Sequence, residues 1–238
     1  MCALPISLMA QQRRVENRPY TDLRPFHFGV VVGAHVQDVE LFNAGIQHIT
    51  LDDGQTIETN IAAEQDRYDP GFVVGVTGEM RINRHFQLRV VPAMYFGNRH
   101  LVFRNMGQTD AEGLPIEHRQ DMKTAYISTA FNLIFAAPRF NNHRPYLLAG
   151  INPMLNLSGN DTHILRFKRH DVFAEVGVGC DFYLPFFKLR PELKFMFSLI
   201  DCLDAKHADR LRDKTLVPYA RSTSKAASKM IALSFYFE

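Results

Sequence analysis

Tryptophan is absent from the 238 residues, and cysteine occurs only at Cys2, Cys180 and Cys202. Three thiols without CxxC or Cys/His spacing make neither a disulfide framework nor a thiolate metal site. No apolar run approaches the ~18 residues that a membrane-spanning helix needs, so spanning by helices is excluded. An excess of one charge is missing too. Lys and Arg number 27 against 25 Asp and Glu, a net +2, and no nucleic-acid partner is expected. Gly at 14 and Pro at 12 are too few for a low-complexity linker. HExxH, GxSxG, a P-loop and a GxGxxG leading into a helix are all lacking, so no enzyme, metal or cofactor is read. Among the ten histidines, His163 and His170 are seven apart, which is not ligand spacing. Ser128, the serine considered for a lipid-modifying site, falls on the inward face of its strand with no histidine beside it on the lipid side.

What is abundant is phenylalanine, with 19 residues. So many rings must be buried or placed in lipid. The opening MCALPISLMA is apolar with small residues near its end, and Gln11-Gln12-Arg13-Arg14 is polar. This reads as the h-region and cut site of an export signal, with Ala10 at the cut. The expected division is a partial signal at 1–10, a periplasmic N-terminal segment at 11–24 and one barrel domain at 25–238.

The dominant period is two, which marks half-buried strands. Phe26, Phe28, Val30 and Val32 alternate with His27, Gly29, Val31 and Gly33. Seven more runs behave alike, near 72–81, 86–97, 126–135, 146–157, 171–184, 189–199 and 230–238. Short connections (82–84, 136–143, 185–186) alternate with long ones (37–70, 98–121, 158–169, 200–228). An even strand count with short turns at one end and long loops at the other is the layout of an outer-membrane barrel. The fold expected is all-β: an eight-stranded antiparallel transmembrane barrel with short periplasmic turns and long extracellular loops.

The charges decide which face meets which solvent. One face carries Glu79, Arg81, Arg89, Glu175, Asp181, Arg190, Glu192 and Lys194; the other is aliphatic and aromatic. Facing hydrocarbon, an Arg or Lys near the midplane costs about 2–4 kcal/mol. Facing inward, opposite charges can pair in a lumen that side chains just fill. The charged residues are therefore read as a structural lumen network. Tyr183, Phe186, Phe187, Tyr236 and Phe237 are read as an interfacial aromatic rim. Ile231, Leu233, Phe235 and Phe237 mark the last strand, the signal that barrel-assembly machinery reads. Pro92, Pro145, Pro153 and Pro191 each lack an N–H, which predicts bulges or strand starts at some of them. In the first long connection, Ile46–Leu51 and Thr56–Ile61 flank Asp53-Gly54, a hairpin signal. That segment is acidic, while the connections at 158–169 and 200–228 are basic. The two are expected either to pack on one another, or to form an asymmetric docking surface or a contact with lipopolysaccharide phosphates.

Six stretches resemble one family in order and spacing. They are Pro70–Gly75, Leu88–Pro92, Arg144–Gly150, Glu175–Gly179 with Asp181–Pro185, Pro191–Phe195, and Ser234–Glu238. Together they are similar to the PorT family, outer-membrane barrels of the type IX secretion and gliding system, from about residue 25 onward. The resemblance implies a non-enzymatic role in exporting proteins with C-terminal sorting domains, such as surface proteases. It implies partners among other secretion-system membrane or periplasmic proteins; outer-membrane lipid is expected as a partner from the apolar outward face. The alternative is a small porin or a barrel whose loops bind a ligand or mediate adhesion.

Overall fold

The computed structural model describes residues 16–50, 56–109, 112–159 and 163–238; the signal segment 1–10 and the Asp53-Gly54 turn lie outside them. Among the described residues there are ten strands: β1 (Phe26–Asn43), β2 (Ile46–Thr50), β3 (Thr56–Arg67), β4 (Pro70–Arg81), β5 (Phe86–Thr109), β6 (Pro115–Ala136), β7 (His143–Asn156), β8 (His170–Tyr183), β9 (Lys188–Ser198) and β10 (Thr223–Phe237). Two short helices, α1 (His207–Arg210) and α2 (Val217–Arg221), lie between β9 and β10. Eight strands close an antiparallel ring in the order β1-β4-β5-β6-β7-β8-β9-β10, and β10 pairs back onto β1. The other two, β2 and β3, are the expected hairpin. Above the end of β4, β3 adds to the upper half of β5.

Register fixes the barrel's shape. Following partners around the ring from His27 leads through Glu79, Arg89, Asn132, Gly150, Glu175, Met196 and Met230. The row returns to β1 at Gln37, ten residues above its start. With a rise of about 3.3 Å per residue and strands about 4.8 Å apart, that stagger tilts the strands by about 40°. The row is also chemically coherent, because it carries several of the ionic lumen groups.

Facing follows the charge argument. Phe28, Val30, Val32, Val74, Val176, Val178, Leu193 and Leu233 point outward, while Glu79, Arg89, Glu175, Asp181, Arg190, Glu192 and Lys194 are buried inside. From Phe26 to Val36 the outward apolar stripe of β1 runs eleven residues, about what a tilted strand needs to cross a bilayer. Above it the pattern inverts. On β5 the outward residues become Asn98, His100 and Arg104, and the inward ones Leu101 and Phe103. On β1, Asp38 and Glu40 face out and Val39 faces in. Apolar-out becomes apolar-in where the strands leave lipid for water.

Several expectations are corrected by this. The connection expected at 98–121 is mostly strand, because β5 and β6 continue as a hairpin to Thr109 and from Pro115. Much of 37–70 is likewise strand. Three prolines need no bulge. Register is kept across Pro92, Pro153 and Pro191, and on one side of each the ladder drops two rungs. Gly75–Ala93 and Gly78–Val90 bracket the first gap, Ser128–Met154 and Phe131–Ile151 the second, Gly179–Glu192 and Phe182–Leu189 the third. In an antiparallel sheet a residue gives its N–H to one neighbour only, so a proline weakens one ladder and spares the other. Pro145 sits near the start of β7, as one of the two alternatives had it. The register shifts are elsewhere, at Phe42/Asn43, Gln65/Arg67 and Asn105/Thr109. The rim also changes membership. Phe186 is 91% exposed, but Tyr183 at 1% and Tyr236 at 0% share the inward parity of Asp181 and Ser234 and fill the lumen.

Candidate functional site: a lumen closed at three levels

The lowest closure is ionic. Arg190 is the hub: Nη1 lies 2.6 Å from both Glu79 Oε2 and Glu238 Oε1, and Nε lies 2.6 Å from Asp181 Oδ1. Arg89 donates to Glu79 Oε2 at 3.0 Å and to Glu192 Oε2 at 2.6 Å. Lys188 pairs with Glu238, and His27 Nδ1 is 3.8 Å from the same carboxylate. Lys194 lies 3.9 Å from both Glu175 and Glu192 and donates to the Tyr236 hydroxyl at 3.3 Å. Tyrosine rings pack between the guanidiniums. Arg89 stands 4.6 Å over Tyr236, and Arg190 stands 5.0 Å over Tyr146, whose hydroxyl donates to Glu192 at 2.8 Å. The Tyr146 ring lies directly on Gly179 of β8, where a Cβ would collide with it. Glycine at 179 is what lets a tyrosine cross so narrow a lumen.

Arg81, expected in this network, is not part of it. It is half-exposed at the short-turn end and donates to the Asp22 carbonyl at 2.6 Å. There, residues 16–24 strap the barrel mouth. Asn17 donates to the Tyr183 carbonyl, Arg18 to the Glu238 carbonyl, and the Tyr183 hydroxyl to Asp22 at 2.5 Å. Arg139 stacks 3.7 Å over the Tyr183 ring.

The middle closure is Arg99, fully buried. It donates to Gln37 at 3.0 Å and Ser228 at 3.1 Å, beneath the Phe167 ring. The top closure is apolar. Val39, Ile61, Leu101, Phe103 and Met122 of the extended wall meet Ile164, Leu165 and Phe167 before β8, and Leu203, Leu211 and Tyr219 before β10. Each such side chain contributes about 1.5–3 kcal/mol on burial. This cap is what the long connections build.

Sequence reasoning missed Lys188, Glu238 and Arg99 as lumen groups. The signal was present: Lys188 and Arg99 continue the inward parity of their strands just past the expected runs, and Glu238 ends the expected last run on the parity of Ser234 and Tyr236. Among the described residues no group of three or more His, Cys, Asp or Glu is arranged to hold a metal ion, and no helix is long and apolar enough to cross a membrane.

On the outer wall above the apolar belt, His100 bridges two carboxylates. Nδ1 is 2.5 Å from Asp121 and Nε2 is 2.8 Å from Asp69. The Asp121 hydrogen bond and then the Asp69 bond raise the His100 pKa above its usual 6.5, against desolvation and the neighbouring Arg67 guanidinium. A raised folded-state pKa stabilises fully below the unfolded value and loses that stabilisation as pH rises through the folded one. Heating the protein at pH 5.5 and pH 8.5 is therefore expected to show a larger drop in melting temperature toward pH 8.5 for wild type than for His100→Gln. Equal drops would remove His100 as the cause.

The acidic and basic segments pair separately. Glu40 binds Lys229, Glu64 binds Arg104, and Asp69 binds Arg67 and His100. On the basic side, Arg210 binds Asp204 and Arg221 binds Asp209. No ion pair among the described residues joins the acidic ribbon to the basic connections.

A closed eight-stranded ring, an outward apolar belt and a polar filled lumen define an outer-membrane β-barrel. The chain belongs to the outer membrane protein beta-barrel domain family, whose model matches residues 9–204. The protein resides in the outer membrane. It is similar to solved structures at low identity. Neisserial surface protein A (NspA) shares 12% identity over 90% of this chain and 98% of its own, with a TM-score of 0.43. OprG of Pseudomonas aeruginosa shares 12% over 88% and 93%, with a TM-score of 0.46. Ail, the attachment invasion locus protein of Yersinia pestis, shares 14% over 90% and 100%, with a TM-score of 0.36. No curated protein matches the sequence significantly.

Proposed function

We propose that the protein is a non-conducting, non-catalytic outer-membrane component of a type IX secretion machinery. It acts through its two ends, by contact with other membrane or periplasmic parts of that machinery and with outer-membrane lipid, lipopolysaccharide included. The observation that carries the first half is the closed lumen. Ionic, guanidinium and apolar layers succeed one another along its axis, and the strap of residues 16–24 lies across the short-turn mouth. A barrel filled in this way offers surfaces rather than a path. The second half is supported by the PorT-like stretches, which fall on wall strands of the ring. The separate acidic and basic segments suit an asymmetric docking surface.

A deletion strain tests the assignment. Cargo with a C-terminal sorting domain is expected to be retained in the cell and its export restored by the gene. Normal cargo export together with lost adhesion or uptake would assign the barrel to the adhesion or porin class instead. Turnover of a lipid substrate by the purified barrel would overturn the non-catalytic reading.

A further inference from the structure

The strap of residues 16–24 runs across the short-turn mouth, which faces the periplasm. At one end the Asn17 N–H donates to Asn142 at 2.9 Å and its side chain donates to the Tyr183 carbonyl at the end of β8. At the other end Arg81, the last residue of β4, donates through its side chain to the Asp22 carbonyl and through its N–H to the Pro25 carbonyl at 2.9 Å. β8 and β4 stand opposite one another in the ring, so the strap spans its diameter. Thr21 is buried against the mouth, while Tyr20, between the two anchors, is 75% exposed. Eight strands about 4.8 Å apart and tilted about 40° make a ring of about 8 Å radius. Tyr20 therefore stands inside the wall, away from the surrounding lipid, with its ring toward the periplasm.

This end is also strongly basic. The strap and the short turns with their flanking residues (81–85, 137–144, 184–187) carry Arg18, Arg24, Arg81, Arg84, Arg139 and Arg144 against Glu16 and Asp22. Backbone carbonyls hold four of these guanidiniums: that of Glu238 holds Arg18, that of Asp22 holds Arg81, that of Asn17 holds Arg139, and those of Ala137 and Arg84 hold Arg144. A carbonyl accepts the hydrogen bond and leaves the positive charge in place. Asp22, 3.6 Å from Arg144 and 4.0 Å from Arg139, is shared among several of them. Arg24 and Arg84 are exposed, and neither pairs with a carboxylate among the described residues. Leu23, Ile82, Phe140 and Phe186 are exposed on the same end. Arginine and aromatic side chains in this combination are enriched where proteins bind proteins.

We propose that this mouth is a docking plate for a periplasmic protein, through a segment rich in Asp and Glu that also carries aliphatic or aromatic side chains. The proposal rests on the periplasmic-contact part of the function above and gives it a place and a chemistry. Partner carboxylates take the unpaired guanidiniums of Arg24 and Arg84, which suit bidentate pairing. Partner apolar groups cover Tyr20 and Leu23. Charge disfavours a second copy of this chain, because two such mouths repel and the acidic ribbon lies at the other end of the barrel. Inner-leaflet phospholipid can meet Phe140 and Phe186 on the rim turns, but Tyr20 lies over the lumen.

The test places the photoreactive residue p-benzoylphenylalanine at position 20 of the full chain in intact cells. Illumination is expected to capture a periplasmic protein, with Asp and Glu in excess over Lys and Arg in the cross-linked peptide. Arg24→Glu together with Arg84→Glu is expected to cut the yield at least tenfold while the barrel keeps its heat-dependent gel shift. Arg24→Lys with Arg84→Lys should retain the cross-link. Capture of phospholipid alone, of a second copy of this chain or of a peptide without acidic excess would overturn the proposal. So would no capture at all, or a yield untouched by the charge reversal. Cargo export in the same strains separates the dock from the secretion role. A reversal that abolishes the cross-link and leaves export intact keeps the dock and removes it from secretion. Export lost on deletion of the gene, with nothing captured at position 20, keeps the secretion role and overturns the dock.

Discussion

Arg190→Met is expected to cost the barrel about 3–5 kcal/mol, seen as a large fall in the urea midpoint in detergent or lipid vesicles. The change keeps much of the side-chain volume and removes the charge. Three carboxylates, from Glu79, Asp181 and Glu238, converge on that guanidinium. Without it Glu79 keeps Arg89, Glu238 keeps Lys188 with His27 nearby, and Asp181 loses its ion-pair partner. The cost is that of leaving buried charge uncompensated and is not a measure of what the intact network contributes, since assembling ions in a lumen is itself expensive. Arg190→Lys should fall between the two, because an ammonium keeps the charge and loses the fork that reaches three acceptors. A second readout separates stability from transport. In planar bilayers the folded Arg190→Lys barrel is expected to conduct no more than wild type, because Arg99 and the apolar cap still close the lumen above. An unchanged urea midpoint for Arg190→Met, or ion currents whose selectivity follows the lumen charge, would overturn the plug.

The membrane-spanning half of the barrel is legible in the residues because lipid enforces one rule there. The charged parity at Glu79, Arg89, Glu175 and Glu192 could face only one way, and the wall follows. What the residues hid lies where that rule stops. Above the belt, water outside and an apolar cap inside reverse the polarity without reversing the direction of any side chain. Asn98 through Arg104 therefore reads as a break when it is the same strand continuing. The prolines misled for a related reason. A proline in a closed ring suggests a distorted strand, yet the ring loses two rungs on one side and holds register through the other. Tyr183 and Tyr236 look like interfacial rings by type, but parity outranks type. Space opposite glycines such as Gly179 is what an inward tyrosine needs. The cap was legible only as the alternative that the long connections pack on one another; its residues were not, because they join segments that show no periodicity and lie some forty residues or more apart.

Val176→Arg is the complementary experiment on the other face. Val176 is 48% exposed in the middle of β8, and its outward neighbours Val178 and Phe195 leave no partner for a guanidinium. Near the bilayer midplane such a charge costs about 2–4 kcal/mol. Val176→Leu should be close to neutral at the same site. Depth supplies the internal control. Val36 is also outward-facing, but it lies two residues below Asp38 at the upper edge of the belt. Near an interface the penalty falls to about 0–1 kcal/mol, and an arginine there can reach water and the Asp38 carboxylate. Vesicle refolding with urea titration of the two arginine variants thus measures a gradient rather than a single loss. Only hydrocarbon predicts a gradient of that sign. A barrel with its outer wall in water would accept arginine at both positions, so equal small effects at Val36 and Val176 would refute the lipid-facing assignment. A steep difference would place the bilayer centre near Val176.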